Sequence, residues 1–66
     1  MDRERIAKKL TELRGNRKRE EVALAVGVTA QAIANYETGV RIPNDALKVK
    51  IANYYHTTVQ EIFFAD

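Results

Sequence analysis

Two side-chain carboxamides, Gln31 and Asn35, lie four residues apart in this 66-residue chain. On a helix that spacing puts both on one face. A carboxamide offers a donor and an acceptor side by side. Either residue can therefore pair bidentately with the edge of an adenine, or bond other bases less selectively. Just upstream, Arg14, Arg17, Lys18 and Arg19 fall within six residues. A cluster of this kind suits phosphate, although charge runs more often form a solvated face. Neither the amides nor the basic cluster suggests covalent chemistry.

The remaining composition narrows the classes. No Ser-His-Asp set, no carboxylate pair suited to a pocket and no phosphate-binding glycine loop is present, so no catalytic residue is assigned and an enzyme is not expected. The chain has no cysteine and one histidine, His56. That excludes a disulfide framework and a thiolate metal site, and one imidazole cannot hold a metal alone. No cofactor or small-molecule ligand is evident. No apolar run approaches a membrane span, and the N-terminus lacks the apolar region of a signal peptide, so a cytoplasmic protein without a membrane partner is expected. A single domain over residues 1–66 follows from the length. Such a chain buries only about 60% of its unfolded surface, and small domains often gain stability by pairing with a partner. The net charge of +2 is modest. Its distribution is more informative, because Asp45, Glu61 and Asp66 lie toward the end opposite the basic cluster.

Five helices are needed to position these groups. Asp2 is placed to cap a first helix reaching about Arg14, with Ile6, Leu10 and Leu13 on its apolar face. Gly15 and Asn16 tolerate the backbone angles that end it. A second helix is expected from about Lys18 to Val26 and a third from about Ala30 to Thr38, where Gly39 stops it. Val40 to Pro43 reads as a loop, with Ile42 extended ahead of the proline. Asn44 is a good cap for a fourth helix that ends near Tyr55, with Leu47, Ile51, Tyr54 and Tyr55 as its stripe. Thr58 and Glu61 have the spacing of a capping box that opens a short fifth helix carrying Val59, Ile62 and Phe63. No strand, internal repeat or linker is evident.

The segment KREEVALAVGVTAQAIANY, from Lys18 to Tyr36, joins the second and third helices through one glycine. Ala23 supplies a small side chain where two helices must cross closely. Gly27 tolerates the positive φ of the turn, Val28 plugs it into the core, and Thr29 caps the next helix. Ile33 and Tyr36 then continue a buried stripe. This is the pattern of a helix-turn-helix, whose second helix is free to enter a DNA major groove. The chain resembles the phage repressor and Cro-type helix-turn-helix family of bacterial DNA-binding domains. The matching residues are Ala23, Gly27, Val28, Thr29, Ile33 and Tyr36, followed by Glu37, Gly39 and Pro43. The likeness runs from Ile6 to Phe63.

The resemblance implies an all-α, compact five-helix repressor-type domain with its helix-turn-helix in helices 2 and 3. It puts the start of the third helix against base edges, which makes Ala30, Gln31, Ala32 and Asn35 the base-facing set. The alanine methyls would touch thymine methyls. A phosphate or mixed set comprises Arg17, Lys18, Arg19, Thr29, Thr38, Gly39 and Arg41, with a main-chain amide near Gly39 as a further phosphate donor. Family members often have Ser-Gln where this chain has Lys18-Arg19. Lysine cannot cap a helix as serine does, and Arg19 is long enough to reach a guanine edge. Glu37 would repel phosphate unless paired, and Arg41 is its expected partner. Arg3, Arg5, Lys8 and Lys9 read as solubilising groups spaced to pair with Glu4 and Glu12. His56 reads as a turn residue.

Tyr54, Tyr55, Phe63 and Phe64 make an aromatic excess near the C-terminus. Adjacent aromatics on one helix cannot both point inward. Related domains dimerise through their last helices, so Tyr54, Phe63 and Phe64 are taken as a homodimer interface. The expected function is that of a transcriptional regulator, a repressor bound as a homodimer to a palindromic operator in double-stranded DNA. With no ligand or oligomerisation domain following, control by occupancy is expected. An antitoxin-type autoregulator and a protein-interaction module of the same fold are the alternatives.

Overall fold

A computed structural model describes residues 2–65. Its elements are α1 (Arg3–Arg14), α2 (Arg19–Val26), α3 (Ala30–Glu37), α4 (Asp45–Tyr54) and a short π-helical segment, α5 (Gln60–Phe64). No strand occurs among the described residues. The expected all-α, five-helix architecture is therefore observed. The Cα radius of gyration, 10.4 Å, fits the roughly 11 Å of a folded domain of this length.

Short polar side chains start the helices by taking up amides that the first turn leaves unpaired. Asp2 accepts from the Glu4 and Arg5 amides at 3.0 and 3.1 Å. Thr29 accepts from the Ala32 amide at 3.1 Å, and Asn44 from Leu47 at 2.9 Å. Such caps contribute about 1 kcal/mol each. Lys18 precedes α2 with no side-chain cap bond, as its chemistry requires. The helices begin or end one residue inside the expected limits at Lys18, Thr38 and Tyr55, because each is the half-helical flanking residue.

Apolar stripes from all five elements meet in one core. Ile6 and Leu10 enter from α1, Val22, Ala23 and Val26 from α2, and Ile33 from α3. Leu47, Ile51 and Ala52 enter from α4, with Ile62 and Phe63 from α5. Burying a side chain of this size contributes about 1.5–3 kcal/mol. Gly27 makes the turn between α2 and α3. Its backbone is left-handed at φ 79, ψ 35, and both its own amide and that of Val28 donate to the Ala23 carbonyl. Val28 packs on the core from this turn.

Two findings at the C-terminal end depart from expectation. The Thr58 hydroxyl accepts from the Glu61 amide at 3.1 Å, but the helix it opens is π-wound rather than α. Its adjacent Ile62 and Phe63 both face inward and are buried. Phe63 is 1% exposed and Phe64 50%. The assignment of Phe63 to an interface is corrected on that ground, since its ring lies inside the core. Arg5 is also not a simple solubilising group. Its Nη2 donates to the Ile62 carbonyl at 2.9 Å and ties α1 to α5. Among the described residues, no ion pair joins Arg3, Arg5, Lys8 or Lys9 to Glu4 or Glu12.

Candidate nucleic-acid interface

The sequence at the junction of α1, α2 and α3 places a carboxylate four residues beyond Ile33, on the buried face of α3. That carboxylate is Glu37, whose side chain is 1% exposed. Burying a charge is costly unless it is paired and hydrogen-bonded. Arg14 supplies Nε to Oε2 at 2.7 Å, and Arg19 supplies Nε to Oε1 at 3.0 Å. Both carboxylate oxygens are therefore engaged, one from the end of α1 and one from the start of α2. The hydrogen bond to Glu37 holds the Arg14 guanidinium above its usual pKa. Arg14 also donates from Nη1 to the Arg17 carbonyl at 2.7 Å. Arg41, the expected partner of Glu37, takes no part. Two arginines from other helices already engage both carboxylate oxygens.

This clamp sits at the edge of an open groove of about 460 Å³ between α2 and α3. Arg14, Lys18, Arg19, Glu20, Ala30 and Gln31 are among its walls. Four expected residues, Lys18, Arg19, Ala30 and Gln31, are thus brought together. Arg19 enters with its Nε fixed by Glu37, while the rest of its guanidinium has no acceptor among the described residues. Ala32 and Asn35 lie outside the groove walls. Asn35 is linked to it through Gln31, whose Nε2 donates to Asn35 Oδ1 at 3.0 Å.

Other expected members are placed differently. The Arg17 guanidinium donates to the Leu13 carbonyl at 3.2 Å and lies 5.5 and 5.6 Å from the ring centres of Tyr54 and Tyr55. It is engaged within the protein by contacts of cation–π type. The Thr29 oxygen is the cap of α3. The Thr38 hydroxyl donates to the Ala34 carbonyl at 2.8 Å. In the following loop, Gly39 has φ 78, and the amides of Val40 and Arg41 both donate to the Asn35 carbonyl. Those two amides are satisfied by α3 itself. Arg41 is exposed.

At the far end, the Tyr54 hydroxyl donates to Glu21 at 3.3 Å, and its ring packs edge-on against Tyr55. Lys48, which sequence reasoning did not single out, is buried beneath Phe63 and Phe64. Its Nζ is 5.8 and 5.4 Å from their ring centres and 3.3 Å from Asp45 Oδ1. By sequence Arg14 is one member of the basic cluster. Its structural role was signalled by the acid on the Ile33 stripe, which had to find a cation. No cluster of potential metal ligands occurs among the described residues, and no helix there is long and apolar enough to cross a membrane.

A family model described as helix-turn-helix matches residues 3–62. No curated protein matches this chain. The match covers nearly the whole sequence, and the chain belongs to that helix-turn-helix family of DNA-binding transcription regulators, of the repressor and Cro type that its sequence resembles.

Proposed function

From membership in this family we propose that the protein binds double-stranded DNA in a sequence-specific way and represses transcription from a palindromic operator, acting as a homodimer. The observation that carries this reading is the groove in which Lys18 and Arg19 stand beside Ala30 and Gln31. Cations that neutralise phosphate supply most of the affinity, and groups on base edges supply the choice of sequence. The α3 helix enters the major groove. Lys18 and the free edge of Arg19 meet the backbone, and Gln31 meets the bases. Arg41 is a further phosphate contact from the loop after α3.

Dimerisation is supported by exposed apolar groups on the last two helices, Val49 and Phe64. Two α3 helices about 34 Å apart then read half-sites about ten base pairs apart, centre to centre. Repression follows from occupancy of a promoter by such a dimer.

The test is selection of bound duplexes from a random pool at about 0.15 M salt, where non-specific binding is suppressed. A two-fold symmetric motif supports the proposal. No motif from folded protein overturns it and favours a protein-interaction module. Sedimentation at high micromolar concentration tests the dimer, and a reporter driven by the selected site tests repression.

A further inference from the structure

The two carboxamides of α3 are bonded to each other. Gln31 Nε2 donates to Asn35 Oδ1 at 3.0 Å. Gln31 is exposed, whereas Asn35 is half-buried. Resting on the DNA-reading function above, we propose that Gln31 and Asn35 read one base pair as a unit. Gln31 is the contacting group, and Asn35 is the positioning residue that holds its amide in plane.

The hydrogen-bond inventory supports this division. A carboxamide has two N–H donors and one carbonyl oxygen. With one N–H of Gln31 committed to Asn35, the other N–H and the carbonyl remain. Those two groups are the set that pairs with adenine, the N–H donating to N7 and the oxygen accepting from the N6 amino group. Asn35 has its oxygen engaged on the side facing Gln31. To read a second base through both ends of its own amide it would have to share that oxygen. The half-buried position of Asn35 also suits support better than reach.

The energetic reason is preorganisation. A free glutamine side chain on a helix surface samples many rotamers, and fixing one costs conformational entropy. The Asn35 bond restricts Gln31 before DNA arrives, so less ordering is left for the binding step. It also fixes which edge of the amide faces outward, and a glutamine able to turn over would accept a wrong base more readily.

The experiment measures binding of the selected operator and of its single base-pair variants to four proteins: wild type, Gln31→Ala, Asn35→Ala and the double variant. Alanine favours helix, so all should fold, and thermal melts by circular dichroism check this. The expected result is that Gln31→Ala loses roughly 5–150-fold of preference at one base pair. Asn35→Ala loses preference at the same base pair, and the double variant loses no more than Gln31→Ala alone. Asn35→Asp retains an acceptor for Gln31. It should keep the preference at that base pair while weakening binding to all sequences alike through its charge. If Gln31→Ala and Asn35→Ala relax different base pairs, or their losses add, the residues read independently and the proposal is overturned while the DNA-binding function stands. If wild-type protein shows no sequence preference at all, it is the function itself that fails.

Discussion

Each end of this small protein buries one charged side chain, and the two are handled in opposite ways. At the α1–α2–α3 junction, Glu37 is held by two arginines, each from a different helix. At the α4–α5 end, Lys48 lies under two phenylalanine rings, and its acidic partner Asp45 is fully in water. Arginine–carboxylate hydrogen bonds are directional, so the first arrangement fixes where Arg14 and Arg19 point. Apolar and ring contacts are much less directional, so the second holds helices together without aiming a polar group outward. The directional device stands beside the groove where orientation matters for recognition.

The comparison is tested most severely by removing the main support of each end. Phe63→Ala empties a core position at the apolar end, and the expected loss is about 3–5 kcal/mol. A domain of this length has about 3–10 kcal/mol in total, so the variant should lose a large share of its stability and its urea midpoint by circular dichroism should fall steeply. Its neighbour supplies the control. Phe64→Ala should leave the urea midpoint nearly unchanged and, if Phe64 forms the dimer contact, should shift sedimentation toward monomer.

Glu37→Gln comes next. Breaking a buried pair from one side costs about 3–5 kcal/mol because a charge is left uncompensated. Here Arg14 and Arg19 retain 18% and 40% of their side-chain exposure, so both can turn toward water and about 2–3 kcal/mol is expected instead. Asp45→Asn, which alters only a carboxylate fully in water, should give no measurable shift in the urea midpoint. Equal effects at the two acids would mean that Glu37 is no clamp.

The Gly27→Ala variant tests the turn that sets α3 against α2. An added Cβ meets nothing within 4 Å, but φ is +79. The cost is therefore backbone strain alone, about 1–2 kcal/mol. A smaller loss in the urea midpoint would show that the turn relaxes.

What could be read from sequence was mainly local. Asp2, Thr29 and Asn44 bond to amides two or three residues away, so residue type and position suffice to find them. The helical stripes and the turn at Gly27 are equally local. The groove followed from the motif, because Lys18, Arg19, Ala30 and Gln31 are fixed by two short helices and one turn. The ties that set tertiary geometry were hidden. Arg14 and Glu37 are 23 residues apart, and Arg5 and Ile62 are 57 apart. No periodicity connects such pairs, and a run of arginines offers several equivalent candidates. Arg17 shows the same difficulty, since nothing in its neighbourhood announces two tyrosine rings from the end of α4. The π turn was also illegible, and Phe63 was drawn to the interface only by the likeness to domains that dimerise through their last helices.

The last effect concerns pH at the half-buried Tyr55 beside the clamp. Tyr55 packs beside Glu37 and the core residues Leu10, Val22, Ile33 and Ile51. Burial, with a further push from the Glu37 carboxylate, raises its phenol from the ordinary value of 10 to about 12. The unfolded chain then releases this proton more readily than the folded one. The stabilising contribution is complete below about pH 10 and is lost as pH rises toward 12. Wild-type protein should therefore lose melting temperature across that interval faster than Tyr55→Phe, whose ring cannot ionise. Lysines also titrate there, but they do so equally in both proteins and cancel in the difference. Parallel melting curves would mean that water reaches the Tyr55 hydroxyl freely and that the region around Glu37 is wetter than its burial implies.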